Sequence, residues 1–128
     1  MVLGEAAVSL PLTPEMLAAA YEFLRKTPPF ARLKLPPSEI VKFSVGKFKQ
    51  DYAAYQWDGK QHRIKMSANA IGQTSTLMRY MAHEMIHLYL EENDLESRKG
   101  GEDTHNAEFR KLAGQTCKFH GFDLKAFY

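Results

Sequence analysis

The stretch Thr74-Ser75-Thr76-Leu77-Met78-Arg79-Tyr80-Met81-Ala82-His83-Glu84-Met85-Ile86-His87-Leu88-Tyr89-Leu90 decides how this chain is read. Leu77, Met78, Met81, Ala82, Met85, Ile86, Tyr89 and Leu90 recur at three- and four-residue intervals, so an amphipathic helix is expected over residues 74–90. At about 100° per residue, with Met81 at zero, the apolar stripe centres at about 60°. His83 and His87 fall at about 200° and about 240° on the same wheel. The stripe fixes the helix in a core, while both imidazoles leave from another face.

Those two histidines frame His83-Glu84-Met85-Ile86-His87, an HExxH sequence. Residues four apart on a helix lie one above the other, so both rings can reach one ion. Neutral imidazole suits zinc, and this spacing fits two ligand directions of a tetrahedron. A carboxylate directly after the first ligand is placed to act as general base on an attacking water. His83 and His87 are therefore candidate metal ligands, and Glu84 is the candidate catalytic residue.

A catalytic zinc takes three protein ligands and keeps one position open. His105 and Glu108 are three residues apart, at the expected start of a last helix, and both are candidates for the third donor. His62, on an expected strand, and His120, at the far end of the last helix, read as ordinary polar positions. The acidic run Glu91, Glu92, Asp94 and Glu96 lacks the spacing of a calcium loop and reads as a solvated loop. Tyr80 and Tyr89 read as partly buried packing aromatics.

Outward from the central helix, the chain reads as α+β. Thr13-Pro14-Glu15 is a helix start, with a hydroxyl at the N-cap, proline at N1 and an acid in the first turn. Met16, Leu17, Ala20, Tyr21 and Leu24 follow at helical spacing, and Pro28-Pro29 ends the run. Val41, Phe43 and Val45 then alternate with polar residues as in a half-buried strand. Two further strands are expected near 51–57 and 61–67, joined by a hairpin at Asp58-Gly59. The three strands predict a small, mostly antiparallel sheet. A last helix is expected from about Thr104 to His120, with Gly121 at its C′ position.

The 128 residues are 45% hydrophobic and 25% charged, which excludes a disordered chain and fits one domain over 1–128. A net charge of +2 argues against a strongly basic nucleic-acid protein but leaves room for a local patch. One cysteine, Cys117, excludes an internal disulfide framework and a cysteine-rich zinc ribbon, and points to a reducing, cytoplasmic setting. No stretch has the length of a membrane span, and Met1 to Leu12 lacks a basic n-region, so no membrane association is expected.

The two histidine motifs resemble those of the SprT-like family of zinc metallopeptidases, which includes the Spartan proteases. That family carries HExxH on one helix and takes its third ligand from an HGxxF-type motif opening the next. Here the second motif is His105-Asn106-Ala107-Glu108-Phe109, with asparagine in place of the glycine. The likeness extends upstream to the N-terminal helix, Phe30 near its end, and the strands before the motif helix. It implies a small zincin-like catalytic domain, with His83, His87 and His105 as zinc ligands, Glu84 as catalytic base and Phe109 as packing. The zinc ribbon that often follows this core is not in the sequence.

The expected activity is zinc-dependent hydrolysis of a peptide bond in a protein or peptide substrate. A strand beside the cleft, residues 61–69, is the candidate for aligning that substrate by β-addition. The alternative is a nucleic-acid-associated module with a structural or vestigial zinc. Eight basic residues (Arg32, Lys34, Lys42, Lys47, Lys49, Lys60, Arg63 and Lys65) stand against three acidic ones between Arg32 and Lys65. Phe43, Phe48, Tyr52, Tyr55 and Trp57 interleave with them, a composition that binds single-stranded DNA by phosphate contact and base stacking.

Overall fold

Thr13 opens the first helix as its sequence predicts: Oγ1 accepts from the Met16 amide at 3.2 Å, and Pro14 occupies the first helical position. The computed structural model describes residues 12–47, 53–68, 74–97 and 105–128. Helix α1, Pro14–Arg25, buries Leu17, Ala20, Tyr21 and Leu24, the i, i+3, i+4, i+7 spacing of one face. Phe30, in a short 3-10 turn at Phe30–Arg32, is fully buried, and Tyr21 Oη donates to the Pro36 carbonyl at 2.6 Å. These contacts lead the chain into a second turn, Ser38–Ile40, and then strand β1, Val41–Gly46.

Strands β2, Ala53–Trp57, and β3, His62–Ser67, form the expected hairpin. Asp58 Oδ1 accepts from the Lys60 and Gln61 amides, both at 2.8 Å, and Gly59 supplies the positive φ of 92° that the turn requires. The α+β class is as expected, but the sheet is mixed rather than mostly antiparallel. Its order is β1-β3-β2, with β2 antiparallel and β1 parallel to β3. The reason is directional: β2 runs opposite to β1, the hairpin reverses the chain again, and β3 enters between them running the same way as β1. Being hydrogen-bonded on both sides, β3 cannot accept a further strand, which removes residues 61–67 as the strand that aligns a substrate. Residue 69 lies outside the described residues.

Strand alternation divides the sheet. Ile64 and Met66 are buried, and Phe43, Val45 and Tyr55 pack against the same core. Arg63 and Lys65 face the other way, with Lys42 beside Arg63 and Ser44 beside Lys65. The cations and the aromatic rings of β1–β3 therefore occupy opposite sheet faces. Phe48, Lys49 and Tyr52 lie outside the described residues.

Helix α2, Thr74–Glu92, runs through the middle of the fold, in contact with α1, β2, α3 (Ala107–His120) and α4 (Leu124–Phe127). Leu77, Met81, Ala82, Met85, Ile86, Leu88 and Leu90 are all buried. Leu88 falls outside the stripe expected from the sequence, because neighbours cover this helix on more than one side. Each fully buried Leu, Ile or Met contributes about 1.5–3 kcal/mol relative to exposure, so α2 is held along most of its length.

The last expected helix begins at Ala107, not near Thr104, because Asn106 is its cap: Oδ1 accepts from the Phe109 amide at 3.0 Å. Gly121 ends it in the left-handed conformation at φ 77°. The short helix α4 was not anticipated. Asp123 caps it, and buried Phe127 folds it back onto α2 and α3. Among the described residues, no helix is long and apolar enough to cross a membrane.

Candidate metal centre

His83 and His87 occupy successive turns of α2, with ring centroids 5.1 Å apart. His105 precedes the Asn106 cap of α3 rather than lying inside the helix, and its ring comes to 5.0 Å from His83 and 5.4 Å from His87. One ligand atom from each of the three rings lies within 4.8 Å of the others. Among the described residues, this is the His, Cys, Asp or Glu group arranged to hold a metal ion. Glu108 is exposed and lines a separate groove with Arg32, Leu33, Tyr89 and Lys111.

Local structure explains why His105 arrives there. Asn106 caps α3 with its Oδ1 and donates from Nδ2 to the Leu95 carbonyl at 2.9 Å, tying the start of α3 to the end of α2. Arg110 holds the His105 carbonyl at 2.7 Å. Beneath the three imidazoles lies fully buried Phe109, with its ring centroid 5.0 Å from His83, 4.7 Å from His87 and 4.3 Å from His105. The asparagine that stands in place of glycine thus completes the turn instead of disturbing it.

The backs of two rings are also held. His83 Nδ1 is 2.8 Å from the Phe127 carbonyl, which can only accept, so Nδ1 carries the proton and Nε2 keeps a lone pair. His87 Nδ1 lies 2.9 Å from Glu96 Oε2, with the same consequence for a neutral ring. Arg79 secures the C-terminal segment that supplies the Phe127 carbonyl by donating to Ala126 O at 2.9 Å. Tyr128 packs its ring 5.4 Å from His105.

Burial favours the neutral form of His83 and His105. Burial pushes His83 down to about 3; His87 and His105 push the same way, and the Phe127 carbonyl opposes them. Burial, then His87, also lowers His105, with Glu96 opposing. At neutral pH these rings offer lone pairs rather than positive charge. Three imidazoles form the donor set of a divalent transition ion with one position left open. Glu96 Oε1 is buried beside this cluster without a hydrogen-bond partner among the described residues. The three-imidazole donor set fits a metal, and the Glu96 carboxylate would face a bound cation across the His87 ring.

Glu84, between the two motif histidines, is 6% exposed and stands outside the mutually close trio. His62 and His120 also stand apart. His120 shares a hydrogen bond with Thr27 Oγ1 at 3.2 Å. His62 is buried between the Tyr55 hydroxyl at 2.7 Å and Glu92 Oε2 at 2.8 Å, joining the hairpin to the end of α2. The acidic run is accordingly not a simple solvated loop: Glu92 and Glu96 each engage a histidine. Tyr80 and Tyr89 pack against the core as expected.

Sequence reasoning missed Glu96 and the Phe127 carbonyl. Both act from irregular or short segments with no periodicity to reveal them; the capping potential of Asp123 was the available clue to α4. Among curated proteins, no sequence matches this one significantly. The sequence profile of the SprT-like family matches residues 18–126, a span that contains α1 from its second turn on, the sheet, α2 with its two histidines, His105 and all of α3. By that match over most of its length, the chain belongs to the SprT-like family.

Proposed function

We propose that this chain is a zinc-dependent peptidase, with His83, His87 and His105 holding the ion and Glu84 serving as general base. The observation that carries the reading is the convergence of the three imidazoles, two of them with Nδ1 already engaged, so that one ligand atom from each lies close to the others. When bound, zinc supplies a Lewis acid for the scissile carbonyl and lowers the pKa of water toward ~7. Glu84 takes the proton from the attacking water on a carboxylate oxygen and hands it to the departing amide nitrogen. Glu84 directly follows His83 in α2 and is 6% exposed, which keeps its carboxylate out of bulk water. An extended substrate aligns along β2, the edge strand of the sheet among the described residues, which packs on α2. The single cysteine, buried in α3, suits a reducing cytoplasm.

The test is Glu84→Gln. The variant should retain zinc with wild-type stoichiometry while cleavage of an unfolded protein falls by at least about 10²–10⁴-fold. Hydrolysis that survives the substitution would contradict the assigned role.

One observation favours DNA contact as a second property. Lys42, Arg63 and Lys65 share the outer sheet face, beside a shallow depression of about 380 Å³ bordered by Ser44, Ala54 and Gln56. With the aromatic rings of the described strands on the other face, the contact proposed is to phosphate rather than to stacked bases. Binding of single-stranded DNA should weaken steeply with salt; no binding at low salt would remove this reading.

A further inference from the structure

Glu96 reaches the cluster by an unusual route. Beyond α2, Leu95 N donates to the Leu90 carbonyl at 2.7 Å, and Asp94 adopts the left-handed conformation at φ 57°. That conformation ordinarily falls to glycine, with asparagine and aspartate the next best suited. It turns the chain back on itself, and the Asn106 bond to the Leu95 carbonyl fixes the returning strand. Glu96 is thereby laid against His87, nine residues earlier, at 2.9 Å, with both side chains largely sheltered from water (13% and 15% exposed).

We propose that Glu96 is a positioning residue for the metal, fixing His87 in the tautomer and ring orientation that presents Nε2 to the ion. This rests on the reading of His83, His87 and His105 as metal donors. A carboxylate is costly to shelter from water, and that of Glu96 is only 15% exposed. A divalent ion across the imidazole offsets that cost, so the same arrangement favours the metal-bound state. The matching support for His83 is a backbone carbonyl, which no side-chain substitution removes. A carboxylate also raises the basicity of its imidazole partner as a ligand. Among the two held rings, Glu96 is therefore the support that the sequence itself can tune.

The experiment measures Zn²⁺ affinity by chelator competition for wild type, Glu96→Ala and Glu96→Gln. Loss of the acceptor should weaken binding about 10- to 100-fold in the alanine variant. The glutamine variant, whose amide oxygen still accepts from Nδ1, should recover most of that loss. Alanine equal to wild type, or glutamine as weak as alanine, would overturn the proposal while leaving the metal site standing. A wild type that binds no Zn²⁺ would overturn both. Should the alanine variant not fold, ¹⁵N resonances of the imidazoles in metal-free wild type at pH 8 decide: the His87 proton belongs on Nδ1, and a proton on Nε2 would refute the assignment.

Discussion

Replacing Phe109 by alanine should cost this protein both stability and metal. The ring is fully buried and lies within 5.0 Å, centroid to centroid, of His83, His87 and His105. Truncating a buried phenylalanine removes its transfer free energy and leaves a cavity, together about 3–5 kcal/mol. A chain of this length has roughly 6–19 kcal/mol to lose, so the variant should remain folded with its melting temperature lowered on the order of 10–20 °C. Urea unfolding of the metal-free protein is the assay, and the midpoint should fall with the m-value unchanged. Zinc titrations then read the second effect. Without their common floor the three rings lose pre-organisation, and the stabilisation that zinc confers at fixed concentration should shrink in the variant. A loss below about 1 kcal/mol would contradict Phe109 as a close-packed core ring. Unchanged zinc stabilisation would contradict its role beneath the imidazoles.

Asn106→Ala removes both the α3 cap and the tie to Leu95, and should destabilise by about 0.5–2 kcal/mol, read by urea midpoint, with zinc affinity falling alongside. The pH dependence of the metal-free protein follows from His83, His105 and His120, all held below the ordinary imidazole range first by burial. Between the unfolded value near 6.5 and the folded value of about 3 for His83, the unfolded chain binds more protons. Stability is therefore full above pH ~6.5 and falls on acidification by about 1.4 kcal/mol per pH unit for each such proton. Urea midpoints between pH 4 and 8 check this, and midpoints that rise on acidification would show the sign to be wrong.

Local chemistry made much of this fold legible. A hydroxyl before a proline placed the start of α1, an aspartate-glycine pair placed the hairpin, and spacing of eight apolar side chains placed α2. The same spacing put His83 and His87 on one shared face, but did not show that this face packs on the core ring of Phe109. The sheet order was not legible, because alternation assigns each residue to a face but names no neighbouring strand; β1 could have paired on either side. Leu88 was missed because a single stripe underestimates how much of a central helix is covered. Glu96 and Glu92 read as solvent-facing because an acidic run carries no mark of which histidine will fold against it. His105 could be placed near the site by the resemblance of its motif. That it sits before the helix, held by Asn106 and Arg110, is a matter of capping geometry seen only in three dimensions.

The account depends most on one shared ion among His83, His87 and His105. The direct measurement is bound metal per chain in wild type, His105→Ala and Glu108→Ala purified in parallel. The account predicts about one zinc per chain in wild type and Glu108→Ala, and near-complete loss in His105→Ala, as expected when one of three ligands is removed. Stoichiometric zinc retained by His105→Ala, or released by Glu108→Ala alone, would contradict it.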